Sequence, residues 1–432
     1  MQAKQPKILQ QMLTRSAILI VVVVGLFYGY EWLLNHDADF DNGTAETTGW
    51  IAAISRKPSG AVACVIQPDG TVIESPGART DATGVVSTDR ELAWRPDGNR
   101  IFFSSDREDN VYNIFRWNLS SSKVMRRTLG KLAKTDPSFP STDESGVRPL
   151  IIFGGVVWEL DPGKGTAHRI YPPADSKDVD VQLDNADTAE SGGAGSTQSR
   201  IKAACLFGKG QWLAMVVAGD DGDTLKVAQL ADPGQQGKRL TLARGQRILI
   251  DADAADGKLV YGVDDFRWPD ESDVPPEFIH NGVATRPFSH CLAIFDPSSP
   301  AGLSMQSLIG ASINDRGAFQ NLAISPDGAN IAVVVGPYSN GNVIGQALLK
   351  IPVKAHGSAE AVPLEPRPGD PAPTGPISDP AWNPTSDEVA FAMGTGANKT
   401  DIFTINADGT GLKNVTNGKG DFRSPKYSPQ TK

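Results

Sequence analysis

Short apolar runs alternate with polar, turn-forming residues along most of the chain. Residues 93–117 read AWRPDGNRIFFSSDREDNVYNIFRW. The tripeptide Pro96-Asp97-Gly98 predicts a tight turn, because proline presets its own φ and glycine accepts a positive φ. The apolar run at 101–103 and the β-branched and aromatic run at 111–117 predict strands, and another is predicted at 124–129. With the strand before the turn, the unit is four antiparallel strands in about forty residues.

This unit recurs twice more in clear form, which points to a repeat architecture. Residues 379–418 follow the same order of strands and turns, and a third copy at 322–336 has the same turn at Pro326-Asp327-Gly328. The positions that align between the first two copies are Trp94 with Trp382, Pro96 with Pro384, residues 101–103 with 389–391, and residues 113–115 with 401–403. The first stretch is therefore one copy of a repeat that builds the chain.

The repeated pattern is an apolar residue before Ser/Arg-Pro-Asp-Gly, followed by Ile-Ala/Phe-Phe, Asp-Ile-Phe/Tyr and Asn-Ala-Asp-Gly. It resembles the TolB-like β-propeller repeat, a relative of the WD-type repeat. By motif the clear copies cover about a third of the chain, and by strand spacing the resemblance covers most of the chain after Trp50. The resemblance implies radially arranged four-stranded blades and a binding role, and it supplies no catalytic residues.

Counting the copies predicts seven blades. Six first strands begin within the chain, near Leu92, Phe139, Ile201, Arg247, Phe319 and Pro380. Residues 50–74 look like three strands without a first strand, and residues 421–428 look like a first strand with nothing after it. If strand 421–428 joins the N-terminal blade, the ring closes and leaves no open edge. Six and eight blades remain alternatives, because the third and fifth blades have the weakest patterns.

The N-terminal part of the chain predicts a membrane anchor. Residues 17–34 read AILIVVVVGLFYGYEWLL, just enough to span a bilayer, with aromatic residues suited to the interface. Cations precede this run and acids follow it, so the positive-inside rule places the N-terminus in the cytoplasm. A cleaved signal peptide and a buried core segment are the alternatives. The predicted organisation is a cytoplasmic N-terminus at 1–16, a transmembrane anchor at 17–34, a linker at 35–49 and a β-propeller at 50–432.

Composition and charge limit the fold classes and functions that the chain can have. The chain has 432 residues, 40% of them apolar, with 44 Gly and 31 Pro, which favours an all-β fold of short strands and tight turns. A net charge of -9 and the lack of a basic stripe argue against nucleic-acid binding. Three widely spaced cysteines, Cys64, Cys205 and Cys291, predict buried free thiols rather than disulfides or a zinc site.

The sequence contains no motif of a common enzyme class. The five histidines form no His-x-x-x-His or His-x-His pair, and there is neither a Gly-x-Ser-x-Gly elbow nor a phosphate-binding loop. The acidic stretch 37–43 lacks the glycine and the final carboxylate of an EF-hand loop. We therefore expect no catalytic residue, no cofactor, no metal and no enzyme activity. A metal or acid–base site at His280 and His290, beside Asp264 and Asp265, is the alternative.

One long insertion, residues 264–290, interrupts a blade between two of its strands. Long loops in compact domains are usually functional or disordered, and the aromatic content of this one argues for function. The predicted partner-binding residues are Phe266, Trp268, Phe278, His280 and Phe288. Among them Trp268 and Phe278 are expected to anchor the partner. A lid packed over one face of the ring is the alternative.

These observations predict a single-pass protein of the bacterial inner membrane whose propeller lies in the periplasm. We expect it to be a protein-binding scaffold in a cell-envelope complex, with envelope or membrane proteins as partners. Its anchor would raise the effective concentration of the ring near membrane partners. The rival hypothesis is a lyase or hydrolase, or a protein that binds a glycan or other small ligand, in the central funnel. A ligand sensor ranks last, because only residues 1–16 would lie inside.

Overall fold

The computed structural model describes residues 45–429 with internal gaps, and it contains strands and turns but no helix in that part of the chain. The gaps are residues 83, 129–132, 140–147, 154–155, 162–165, 172–180, 183–199, 209, 231–236, 253–256, 270–273, 275–278, 285–289, 299–316, 340–341, 344–345, 354–361, 364–374 and 397–398. The predicted anchor at 17–34 lies outside the described residues. Among the described residues no helix is long and apolar enough to cross a membrane. The domain boundaries stay a prediction.

The strands of the first half of the chain form blades 1 to 4. Blade 1 contains β1 (Ile51–Lys57), β2 (Gly60–Ile66), β3 (Val72–Glu74) and the last strand, β33 (Asp421–Tyr427). A small hairpin follows, β4 (Thr80–Asp81) and β5 (Gly84–Val85). Blade 2 contains β6 (Asp89–Trp94), β7 (Arg100–Ser105), β8 (Asn113–Asn118) and β9 (Lys123–Arg126). Blade 3 contains β10 (Thr135–Ser138), β11 (Leu150–Phe153), β12 (Val156–Asp161), β13 (Thr166–Tyr171) and β14 (Val181–Gln182). Blade 4 contains β15 (Arg200–Phe207), β16 (Trp212–Gly219), β17 (Gly222–Gln229) and β18 (Arg239–Gly245).

The remaining strands form blades 5 to 7. Blade 5 contains β19 (Arg247–Ala252), β20 (Leu259–Asp264) and β23 (His290–Phe295), with the hairpin β21 (Ile279–His280) and β22 (Val283–Ala284) inserted between β20 and β23. Blade 6 contains β24 (Gly317–Ile324), β25 (Asn330–Ser339), β26 (Asn342–Val343), β27 (Ala347–Pro352) and β28 (Val362–Pro363). Blade 7 contains β29 (Ile377–Trp382), β30 (Glu388–Gly396), β31 (Lys399–Asn406) and β32 (Lys413–Asn414).

The seven sheets are arranged in a ring. One strand of each sheet contacts its counterpart in the next sheet, in a closed circle of β33, β6, β10, β15, β19, β24, β29 and again β33. The sheets pack through seven hydrophobic clusters of described residues, one between each pair of neighbouring blades. Middle strands such as β7 are buried at every residue, as expected when both faces of a sheet are covered. The predicted all-β fold with seven blades is confirmed.

The ring closes through the two ends of the chain. Strand β33 pairs antiparallel with β1, so blade 1 combines three N-terminal strands with one C-terminal strand. Phe422 of β33 is 2% exposed and packs in the cluster between blades 7 and 1. Strand β33 therefore covers the inner edge of β1, and covering strand edges in this way protects sheets from unwanted pairing.

The repeated tryptophan explains part of the sequence pattern. The indole N–H of Trp94 donates to the Lys426 carbonyl of the preceding blade at 2.8 Å. That of Trp382 donates to the Ala323 carbonyl of the blade before it at 3.0 Å. In blade 1 the same repeat position holds Tyr427, whose hydroxyl donates instead to a carboxylate of blade 7. Each of these side chains forms a hydrogen bond from its own blade to the preceding blade.

Two details differ from the sequence prediction. The sheets contain three to five described strands rather than four throughout. The innermost strand of blade 3 is β10, which ends before Phe139 instead of beginning near it. The Phe139 ring contacts the Phe102 ring edge-on, with centroids 5.1 Å apart. The apolar pattern there marks an interblade contact, whereas the strand itself carries the less apolar sequence Thr-Asp-Pro-Ser.

The chain path defines two faces of the ring. On the N-terminal face, the segment before β1 meets the turns that follow the innermost strands, and the Thr47 hydroxyl donates to the Gly98 carbonyl at 2.8 Å. The opposite, insertion face holds the connections between second and third strands, including the described parts of the connection between β20 and β23. These connections lie opposite the N-terminal face, because the second strand runs antiparallel to the innermost strand in each of the seven blades.

Candidate functional site on the insertion face and in the central channel

The innermost strands carry acidic residues at β-bulges beside the central channel. Glu91, Asp136 and Asp379 have positive φ angles of 56°, 53° and 53°, as does Ser424 at 53°. At each of these points the register between the innermost and second strands shifts. A bulge re-aims the local side chain, and positive φ is uncommon for residues other than glycine. We refer to Glu91, Asp136 and Asp379 as the channel carboxylates.

The channel carboxylates bond to the next blade around the ring. Glu91 Oε2 accepts from the Asp136 N–H at 2.8 Å, and Asp136 Oδ2 accepts from the Ala204 N–H at 3.4 Å. Asp379 Oδ2 accepts from the Ser424 N–H at 3.2 Å. These bonds supply acceptors for backbone groups that the bulges remove from the strand ladder. The acids therefore have a structural role as well as a place beside the channel.

Burial and a neighbouring acid set the electrostatics of Asp136. Burial and the negative charge of the neighbouring Glu91 raise the pKa of Asp136 from 3.8 to about 6. The hydrogen bond from the Ala204 N–H and the positive charge of Lys426 lower this pKa, but by less. Close by, the Arg90 guanidinium lies over the Tyr112 ring at 3.6 Å from its centroid, and Arg90 Nε is 3.5 Å from Glu91 Oε1. The cluster can exchange a proton near neutral pH and offers both signs of charge to a polar group.

The base of the insertion is part of the core. Phe266 is fully buried, and its ring contacts the Trp268 ring edge-on with centroids 5.0 Å apart. Both pack against the hydrophobic cluster between blades 4 and 5. The backbone of this base is also hydrogen-bonded to the end of blade 4. The Arg244 N–H donates to the Arg267 carbonyl at 3.1 Å, and the Arg267 N–H donates to the Arg244 carbonyl at 2.8 Å. These contacts hold the insertion at a defined place on the ring.

The insertion also forms an exposed hairpin. Strands β21 and β22 pair as Ile279 with Ala284 and His280 with Val283. Asn281 and Gly282 form the turn with φ angles of 54° and 77°, values suited to a two-residue hairpin loop. Val283 is 64% exposed and Ile279 is 43% exposed. The hairpin therefore presents apolar side chains to solvent from the insertion face.

The structure separates the residues predicted from the sequence. Phe266 and Trp268 belong to the buried base, where Phe266 offers no surface to a partner. His280 is exposed on the hairpin. Phe278 and Phe288 lie outside the described residues. Among the described residues no group of three histidine, cysteine or carboxylate side chains is arranged to hold a metal ion.

Sequence reasoning missed two sets of residues. Ile279 and Val283 flank Asn281-Gly282, and an Asn-Gly pair between apolar residues is a strong hairpin signal that could have located them. The channel carboxylates had a weaker signal. Asp136 and Asp379 each precede a proline in an innermost strand, but only the ring shows that the two positions are equivalent.

The chain is similar in fold to several solved protein structures. No protein-family model matches the sequence, and no curated protein sequence is significantly similar to it. TolB from Acinetobacter baumannii is 14% identical, with 89% of this chain and 68% of that chain covered and a TM-score of 0.45. A puromycin hydrolase S511A mutant complexed with PGG is 13% identical, with 89% of this chain and 54% of that chain covered and a TM-score of 0.50. A Mycobacterium tuberculosis puromycin-hydrolyzing peptidase is 14% identical, with 84% and 52% covered and a TM-score of 0.48.

The prediction that the chain is not an enzyme is corrected by these comparisons. A puromycin hydrolase shares this fold over most of the present chain, so the propeller does not set the chain apart from hydrolases. The chain spans about half the length of that hydrolase. The β-propeller fold that the repeat resemblance implied is confirmed, because the chain forms a ring of seven blades, and TolB is among the solved structures similar to it.

Proposed function

We propose that the chain is a protein-binding scaffold of the bacterial cell envelope, and that the β21–β22 hairpin is its partner-binding surface. The observation that carries this proposal is the exposure of apolar side chains on a hairpin whose insertion has a buried base. A partner that covers Ile279 and Val283 removes apolar surface from water, which favours association. A fixed base limits the ordering cost on binding.

The two ends of the insertion have different roles in this proposal. Phe266 and Trp268 position the hairpin, and Ile279, His280 and Val283 contact the partner. Phe278 and Phe288 are further candidates for contact. His280 adds a polar group beside the two apolar side chains, and polar groups across an interface set specificity more than affinity.

The location of the hairpin suits a membrane-anchored protein. The N-terminal segment joins the ring on the N-terminal face, so an anchor at 17–34 would hold that face toward the bilayer. Residues 35–44 can span at most about 35 Å when fully extended. The hairpin would then point away from the inner membrane into the periplasm. Its partners would be periplasmic proteins or the periplasmic parts of other envelope proteins.

Purification of the full-length protein in mild detergent tests the proposal. Co-purifying proteins are identified for the wild type and for the double variant I279S/V283S. Ile73 is the third large hydrophobic side chain exposed among the described residues, at 37%, and I73S serves as the matched control because it lies outside the hairpin. We expect a stoichiometric envelope partner that remains with I73S and disappears with I279S/V283S. A partner retained by all three proteins, or a wild type without one, would overturn the proposal.

Hydrolysis is the second candidate function. It rests on the fold shared with a puromycin hydrolase and on the acid pair Glu91 and Asp136 beside the central channel. The full-length protein can be tested for release of amino acids from puromycin and short peptides, with E91Q/D136N as the comparison. Turnover that this variant abolishes while it remains folded would favour hydrolysis at the channel. Turnover that the variant retains would argue against that site.

A further inference from the structure

A cleft of about 510 Å³ lies on the N-terminal face where the ring closes, between blades 7 and 1. Its walls include the turn 383–388 after β29, the end of β33 and the segment 48–51. We call it the seam cleft. Its volume falls within the range of small-molecule sites, which are about 300–1,000 Å³. It lies on the opposite face from the β21–β22 hairpin.

The floor of the seam cleft is apolar. Ile51 and Val415 are 3% and 5% exposed and belong to the hydrophobic cluster between the two blades. The Tyr427 ring packs against the same cluster and also lines the cleft. These side chains offer a flat apolar surface to the body of a ligand.

One polar side chain in the wall is available to a ligand. Thr404 is 5% exposed and lines the cleft, and among the described residues its hydroxyl has no hydrogen-bond partner. The hydroxyl oxygen is not sealed from solvent, so it reaches the cleft. A ligand group can therefore bond to Thr404 in place of water.

The rim of the cleft is acidic. Asp387 and Glu388 both line it, and the cation among the lining residues is Lys413, whose Nζ already donates to the Pro68 carbonyl at 3.3 Å. The Tyr427 hydroxyl donates to Glu388 Oε1, so one oxygen of this carboxylate is held in place and the second remains an acceptor. Two carboxylates against one ammonium group favour a positively charged ligand.

We propose that the seam cleft binds a small organic amine. The cationic amine lies beside Glu388 and Asp387, the apolar body covers the floor, and a hydrogen-bonding group reaches Thr404. The ligand class is thus an amine on an apolar body with a neighbouring amide or hydroxyl, as in an amino-acid amide or the amino terminus of a short peptide. This site is independent of the hairpin and of the channel carboxylates.

L-Phenylalaninamide is the probe, and N-acetyl-L-phenylalaninamide is its matched uncharged control. Binding to the full-length protein in detergent is measured by ligand-observed NMR, at a pH below the pKa of the free amine. The protein variants are Glu388→Gln, which removes the charge but keeps an acceptor for Tyr427, and Thr404→Val, which removes the hydroxyl. Asp221→Asn is the control, because it makes the same charge change at an exposed turn on the insertion face.

We expect saturable binding of L-phenylalaninamide and at least roughly tenfold weaker binding of the acetylated form. Glu388→Gln should weaken binding about tenfold and Thr404→Val several-fold, whereas Asp221→Asn should bind like the wild type. I279S/V283S should also bind like the wild type, which separates this test from that of the scaffold. If Glu388→Gln fails to fold, Thr404→Val decides. Equal binding of both probes, no saturable binding, or unchanged affinity in Thr404→Val would overturn the proposal.

Discussion

Replacing Asp136 with asparagine should stabilise the propeller at neutral pH. Burial and Glu91 raise the pKa of Asp136 from 3.8 to about 6 in the folded protein. Each pKa unit corresponds to about 1.4 kcal/mol, so keeping this carboxylate ionised costs the fold up to about 3 kcal/mol. Asparagine removes the charge and keeps a side-chain oxygen that can accept from the Ala204 N–H. We expect Asp136→Asn to raise the free energy of unfolding by about 1–3 kcal/mol at pH 7.5.

The stability gained from Asp136→Asn should depend on pH. Because the folded pKa is raised, the folded protein holds this proton more tightly than the unfolded chain between about pH 4 and pH 6. The contribution of Asp136 to stability is therefore fully present below about pH 4 and is lost as the pH rises through about 6. The gain from Asp136→Asn should be large at pH 7.5 and close to zero at pH 4.

Urea denaturation of the full-length protein, followed by tryptophan fluorescence at both pH values, measures this gain. Asp221→Asn is the control for loss of one negative charge, since Asp221 is exposed in the turn between β16 and β17. An Asp136→Asn variant that is destabilised equally at both pH values would refute the reasoning. Such a result would mean that the Asp136 carboxyl group stabilises the contact between blades 3 and 4 whether or not it is ionised.

Four further substitutions test the packing of the ring and its turns by chemical denaturation. Phe422→Ala should lower the free energy of unfolding by about 3–5 kcal/mol, because it opens a cavity at the seam between blades 7 and 1. Arg107→Met should cost about 3–5 kcal/mol, because it leaves the fully buried Asp89 without the guanidinium 2.5 Å away. Gly222→Ala should cost well over 1 kcal/mol and Gly282→Ala about 1 kcal/mol. Both glycines have positive φ, but an added Cβ would collide with the Gly245 carbonyl only at the first. Equal losses at the two glycines would contradict this explanation.

The fold could be read from the sequence because it is a repeat of local patterns. The turn at Pro96-Asp97-Gly98 and the tryptophan at 94 recur with fixed spacing, and that spacing is enough to count blades. The tryptophan contact could not be read from one copy, since its indole N–H reaches the neighbouring blade at Lys426. Phe139 was wrongly predicted to begin a strand, because the sequence pattern of an apolar residue at an interblade contact is the same as that of a strand residue.

The candidate site could be predicted only in part. The length and aromatic content of residues 264–290 marked the insertion, but composition does not tell a buried aromatic from an exposed one. Phe266 is buried because its ring meets a cluster built by two blades, and that contact is set by the ring as a whole. The channel carboxylates and the seam cleft bring together residues that are far apart in sequence. Motif searches along the chain could not decide on enzyme activity either, because unrelated chemistries use the same fold.

Site-specific photocrosslinking in intact cells tests partner binding at the hairpin most directly. In one protein a photoreactive amino acid replaces Val283, which lies beside the turn of the hairpin. In a second protein it replaces Thr385, which is exposed on the N-terminal face. We predict that the Val283 position yields a discrete crosslink to an envelope protein and that the Thr385 position does not yield the same product. The absence of any crosslink from Val283, or the same product from both positions, would contradict a scaffold that binds its partner through this hairpin.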